Sequence, residues 1–147
     1  MIKWIYKPFS HLDVTELYFI LQLRSDVFVI EQNCIYRDID AKDVNCFHMC
    51  GWDNNILAAY ARIIPPGLAY KEASIGRVAT NQVHRRTGIG KILMQKAITH
   101  TLNQFNVDNI RIGAQKYLLK FYSDLGFQAE GETYLEDGIE HVEMIYK

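Results

Sequence analysis

Residues 75–94, I-G-R-V-A-T-N-Q-V-H-R-R-T-G-I-G-K-I-L-M, constrain this chain more than any other stretch. The first six, with β-branched Ile75, Val78 and Thr80, read as a strand. A short polar turn follows. Arg85-Arg86-Thr87-Gly88-Ile89-Gly90 then opens an amphipathic run, in which Leu93, Met94, Ala97, Ile98, Leu102 and Phe105 share one helical face. The pattern is strand, basic glycine-rich turn, helix.

Such a turn is built to meet an anion. The first N–H groups of a helix have no partner within it, and the helix dipole adds roughly +0.5 charge at that end. Gly88 and Gly90 remove side chains that would block close approach. Arg85, Arg86 and Lys91 add cations. A phosphate or pyrophosphate fits this chemistry. The turn is not a P-loop, because Gly90-Lys91 is followed by Ile92 and the early glycine position is Arg85. Nor is it a dinucleotide fingerprint, whose third glycine would fall at Leu93.

Length and composition bound the rest. A chain of 147 residues is expected to form a single domain, 1–147. Hydrophobic residues make up 49% and aromatics 12%, enough for a packed core. A net charge of −1 leaves no broad field for nucleic acid or an anionic membrane surface, so neither is expected as a partner. No apolar run reaches membrane-spanning length, and Lys3 and Lys7 interrupt the only apolar residues near the start. A soluble, cytoplasmic protein is expected. The three cysteines, Cys34, Cys46 and Cys50, are an odd number and argue against a disulfide framework. With Cys46 and Cys50 placed on one face of a strand, a zinc site with His48 and Cys34 is conceivable. Buried thiols and a core histidine are the commoner outcome.

Along the chain, residues 1–7 read as a strand stopped by Pro8. Asp13 and Glu16 form a capping pair. A helix then runs through Leu17, Tyr18, Leu21, Val27 and Phe28, interrupted by Arg24, which is expected to pair with Asp26 or Glu31. Alternatively, residues 23–34 wall a ligand pocket. Residues 36–43 are acidic, and Asp38, Asp40 and Asp43 would attract a cationic amine unless the loop is merely solvated. Strands are expected at 44–50 and 56–64 around a turn at 51–55. A further strand at 109–114 should lie parallel to the one at 75–80, across the helical crossover. Residues 115–124 read as a short helix with Leu118, Phe121 and Tyr122 on one face, with Gly126 just past its end. Two last strands flank a turn at Glu136-Asp137-Gly138. The order implies an α/β fold with a mixed sheet.

The spacing R-x-x-G-x-G from Arg85 to Gly90, after a strand, resembles the acyl-CoA pyrophosphate loop of the GNAT superfamily of N-acetyltransferases. Residues 114–127, A-Q-K-Y-L-L-K-F-Y-S-D-L-G-F, resemble that family's second motif. Residues 16–34, 58–67 and 134–144 resemble the ElaA-type branch, with Glu140 standing where relatives are expected to carry proline.

The resemblance implies a GNAT-like α/β fold, a central mixed sheet of about six or seven strands flanked by helices on both faces. It implies acetyl transfer from acetyl-CoA directly to a primary amine, with no metal and no acyl-enzyme. Val78, Ala79 and Thr80 would offer backbone groups to the pantetheine arm, and the Val78 N–H would polarise the thioester carbonyl. Arg85, Arg86, Thr87, Gly88, Ile89, Gly90 and Lys91 would hold the pyrophosphate, and Gln115 would touch the cofactor. Tyr122 would protonate the departing thiolate, whose own pKa is about 8.5. The central strand carries no glutamate to act as base, which leaves Glu31, His48, Glu136 and His141 as candidates for base or acceptor contact. The acceptor is a small molecule or a peptide, and aromatics such as Trp52 or Tyr70 would suit a homodimer interface. The rival readings are a non-catalytic CoA-binding or sensor module, and a phosphate-binding regulatory domain.

Overall fold

The computed structural model describes all 147 residues. Seven strands fall into two sheets. In the first, β1 (Lys3–Pro8), β2 (Phe47–Asp53), β3 (Ile56–Ile64) and β4 (Ser74–Thr80) lie in that order, each antiparallel to the next. In the second, β5 (Ile110–Gln115) and β6 (Phe127–Glu136) flank β7 (Ile139–Tyr146), again antiparallel. Three helices complete the chain: α1 (Val14–Arg24), α2 (Ile89–Phe105) and α3 (Leu119–Asp124). None is long and apolar enough to cross a membrane.

The hydrophobic pattern explains the layering. β3 is buried at eight consecutive positions, so helices must cover both of its faces. Ile20 and Leu23 of α1 pack on one face, against Cys50, Leu57, Tyr60 and Ala79. Leu93, Met94, Ala97 and Ile98 of α2 pack on the other, with Met49, Ala59, Ala61 and Ile63. Each of the larger ones, such as Ile20, Leu23, Leu93 and Met94, contributes about 1.5–3 kcal/mol by leaving water. The capping box at α1 is present in full: Glu16 N–H donates to the Asp13 carboxylate and Asp13 N–H to that of Glu16. At the β6–β7 turn, Asp137 and Gly138 both have positive φ, the mirror-image turn that an Asp-Gly pair favours.

The sheet is divided where the element order suggested continuity. β4 and β5 meet at their starts, where Arg111 N–H donates to the Ala73 carbonyl at 3.0 Å. Neither strand is laddered to the other beyond that point, and both go on to line one cleft. β4 also bulges. Tyr60 faces Ala79 but Arg62 faces Gly76, so β4 carries one extra residue there, and Arg77 takes a positive φ of 51°. A bulge leaves its extra residue out of the ladder and turns the strand.

Three local expectations are corrected. α1 stops at Arg24, and Ser25–Glu31 continue as a wider π-helical segment. Residues 43–45 form a 3-10 turn, so Cys46 precedes β2 and is not in it. β5 runs on to Gln115, and α3 begins only after a 3-10 turn at Lys116–Leu118.

Candidate functional site

The diverging halves of β4 and β5 open a cleft of about 1090 Å³. Its walls are β4, β5, α3, the end of the π-helical segment and the β6–β7 hairpin. At one end stands the turn into α2. Gly88 caps that helix with φ +83°, a left-handed conformation that suits glycine, and no side chain caps it. As a result the six consecutive N–H groups of residues 86–91 have no hydrogen-bond partner within the protein. Thr87 Oγ1 donates to the His84 carbonyl and pins the turn. Gly90 completes the seat, since a Cβ there would stand between Phe121 and Thr80, both of which line the cleft.

Arg85 reaches back across the cleft mouth. It donates to both carboxylate oxygens of Glu31, and to the Thr80 hydroxyl and carbonyl. That hydrogen bond holds the Glu31 carboxyl below its usual range. Next to it, the Gln32 amide donates to the Gln115 side-chain oxygen at 3.1 Å. The end of the π-helical segment therefore touches both sides of the opening.

Tyr122 lies on the wall, 7% exposed, edge-on to Phe121 and Phe127. Burial pushes its phenol up, so it stays protonated at neutral pH. The hairpin brings Glu136 and His141 to the same cleft. Tyr70 and Tyr134 put their hydroxyls over Gly113, where a Cβ would lie 2.8 Å from each.

The far wall is ionic. Arg24, wholly buried, donates to Asp38 at 3.0 Å and to Asp43 at 2.7 Å. Arg62 donates to Asp40 and Asp43, and Arg77 sits against Asp38, Asp40 and the ring of Tyr36. Burial opposes ionisation of Asp40 and Asp43, but the arginine hydrogen bonds outweigh it and hold both carboxyls low. Two expectations fall here. Arg24 pairs with neither Asp26 nor Glu31, and the acidic loop is not free to attract an amine, because three arginines already neutralise its three aspartates.

Of the residues singled out in the sequence, Val78, Ala79, Thr80, Arg85, Gly90, Gln115, Tyr122, Glu31, Glu136 and His141 line this one cleft. Arg86, Thr87, Gly88 and Lys91 are exposed at its head, while the Ile89 side chain is core. His48 is placed elsewhere. It is 1% exposed, with one ring nitrogen 2.7 Å from the Tyr60 hydroxyl and the other 3.0 Å from the Asp43 carbonyl, and does not reach the cleft. Burial pushes the Cys46 thiol up to about 11 and that of Cys50 up to about 12, so neither offers a thiolate. No three His, Cys, Asp or Glu side chains converge as a metal site. Trp52 packs edge-on to Phe19 and Tyr70 faces the cleft, so neither is a free surface aromatic. Sequence reasoning missed Tyr36, Arg62, Arg77 and Tyr134 as wall residues, and only the aromatic and cationic character of those positions hinted at them.

A family model described as an acetyltransferase (GNAT) domain matches residues 22–147. The chain belongs to the GNAT acetyltransferase family. Within that family it is similar to the ElaA protein of Escherichia coli K12, 40% identical over 146 residues, which span 98% of this chain and 95% of that one. The crystal structure of Escherichia coli ElaA superposes with a TM-score of 0.94 at 39% identity, and an acyl-CoA N-acyltransferase from Pseudomonas aeruginosa with 0.95 at 34%; both chains are covered in full in each case. The GNAT fold accounts for the seven strands and for an acyltransferase assignment. A CoA ester suits the residues present: a run of unpaired N–H groups for the diphosphate, a bulged strand edge for an amide-bearing arm, and a protonated phenol further along the wall.

Proposed function

We propose that this protein transfers an acetyl group from acetyl-CoA to a primary amine. The observation that carries the reading is the line of unpaired N–H groups at residues 86–91, standing at the head of a cleft that also contains Tyr122. Those groups and the α2 dipole take the diphosphate. Arg85 exchanges Glu31 for it in part. The freed edge of β4 around Val78, Ala79 and Thr80 takes the amide groups of the arm, and Gln115 faces them from β5. With the arm between β4 and β5, the Val78 N–H donates to the thioester carbonyl as negative charge grows there. Tyr122 donates its proton to the departing sulfur. Holding the two reactants in line supplies much of the rate, since proximity alone is worth several kcal/mol.

A Tyr122→Phe variant separates this enzyme from a CoA-binding module. The ring and its packing survive, so acetyl-CoA affinity measured by calorimetry should stay within about twofold. Thiol release in the presence of a linear diamine, a blocked lysine or a short peptide with a free N-terminus should fall by about 10²–10⁴-fold. Unchanged transfer would remove Tyr122 as the acid, and no transfer by the wild type at millimolar amine would favour the binding module.

A further inference from the structure

We infer that His141 is the general base of this site, taking the proton from the acceptor ammonium at its Nε2. The inference rests on the transfer reaction proposed above and supplies the group that reaction lacks. An ammonium has no electron pair to attack with, and β4 carries no carboxylate to deprotonate it.

Apart from Glu136 and Asp137, which are exposed at the rim, the carboxylates on the wall are already engaged. Glu31 has both oxygens on Arg85. Glu143 accepts from Arg111 at 3.0 Å. Asp40 is held by Arg62. His141 differs. It is 6% exposed, yet its side chain is on the cleft wall. Its Nδ1 lies 2.7 Å from the Ile139 carbonyl oxygen. A carbonyl has no proton to give, so Nδ1 must be the N–H donor. In the neutral ring that leaves Nε2 with the lone pair. Nε2 is turned toward Glu136, 3.6 Å from Oε2.

The surroundings hold the ring in this pose. Tyr134, its cross-strand partner on β6, stacks on it with centroids 5.8 Å apart. The β5 partner is Gln115, which is uncharged. The titratable groups facing the imidazole are therefore Tyr134 and Glu136 from β6, with Asp137 in the adjoining turn and Glu143 on its own strand. Glu136 is largely exposed at the rim, where its carboxylate draws the ammonium in and later neutralises the imidazolium.

The proton and electron balance closes without a co-reactant. One N–H bond of the ammonium breaks and Nε2 gains that proton. The electron pair left on nitrogen forms the C–N bond to the acyl carbon, and the C–S bond breaks onto sulfur, which receives the Tyr122 proton. The proton shed as the amide forms restores the phenol. The imidazolium returns its proton to water past Glu136.

The decisive variant is His141→Asn, whose side-chain N–H still serves the Ile139 carbonyl but which cannot accept a proton. With the best amine of the panel above, kcat/KM at neutral pH should fall by about 10²–10⁴-fold. Acetyl-CoA affinity by calorimetry should stay within about twofold. The deficit should shrink as pH rises and free amine becomes available without help, a recovery that a purely structural loss would not show. Histidine-labelled protein read by long-range ¹⁵N–¹H NMR should give the Nδ1–H tautomer for His141. An Nε2–H tautomer overturns the inference, and so does a variant that transfers within about threefold of wild type at every pH. Absence of transfer by the wild type overturns the transferase reading itself, an outcome distinct from equal rates in both proteins.

Discussion

Replacing Gly90 with alanine should move stability and ligand affinity in opposite directions. Gly90 lies in the first turn of α2 and is not among the residues with positive φ. An added Cβ would meet Phe121 Cζ at 3.8 Å and Thr80 Cγ2 at 3.9 Å, ordinary contact distances. Nothing in the protein needs to give way, and alanine is better than glycine in a helix by about 0.5–1 kcal/mol. At this chain length that raises the melting temperature by about 1–4 °C. The same methyl stands beside the N–H groups that, on the proposed reading, receive the diphosphate. Crowding a fitted contact by one methyl costs about 1–3 kcal/mol, a loss of about 5–150-fold in CoA affinity. Thermal melting and calorimetric titration with CoA read the two effects on one sample. Gly88→Ala is the control. Its φ of +83° is strained for any residue with a Cβ, so this variant should lose about 1–2 kcal/mol of stability. If Gly90→Ala binds CoA as tightly as wild type, the first turn of α2 is not where the diphosphate sits.

Other outcomes follow from the ionic wall and the Arg85–Glu31 pair. Asp43→Ala leaves Arg24 and Arg62 with a lost partner at 0% and 3% exposure, and should cost about 3–5 kcal/mol in urea unfolding; a loss below about 1 kcal/mol would mean the two arginines re-pair. Asp40 and Asp43 have folded pKa values below their unfolded ones, so their stabilisation is complete above about pH 5 and is lost as pH falls through the lowered values. A urea midpoint that stays flat between about pH 5 and pH 2 would contradict this. Glu31→Gln frees Arg85 and removes a negative charge beside the anion seat, so CoA affinity should rise by up to about fivefold, most clearly at low salt. A weaker-binding variant would show that Glu31 positions Arg85 for the ligand.

Much of this was legible in the chain because local rules and the fold agree. The apolar face of α2, from Leu93 to Phe105, follows directly from its spacing, as does the Asp13–Glu16 capping box. Asp137-Gly138 declares its turn type. The turn into α2 is readable because Gly88 there takes a left-handed conformation that a side chain resists. What stayed hidden is what sequence neighbours do not determine. The partners of Arg24 lie 14 and 19 residues away, in a segment with no periodicity. Nearer carboxylates were the natural guess. The bulge in β4 falls on Arg77, which carries no glycine signal for a positive φ. His48 reads as a candidate base until the structure buries it between Tyr60 and the Asp43 carbonyl. His141 looks no different in sequence; its place on the cleft wall and its bond to Ile139 set it apart.

The segment 36–43 has almost no regular secondary structure, yet it is fastened at three points to three different elements: α1 through Arg24, β3 through Arg62 and β4 through Arg77. Its conformational entropy is spent during folding, before any ligand arrives. A wall prepared in this way selects by shape, because a poorly fitting molecule cannot recruit loop motion to accommodate itself, and a good one is not taxed for ordering the loop. It also separates anchoring from reading. Asp38, Asp40 and Asp43 fix the path, while Arg37, just before them, is exposed and lines the cleft. Exchanging that side chain is the least disruptive route by which a chain of this kind acquires a different preference.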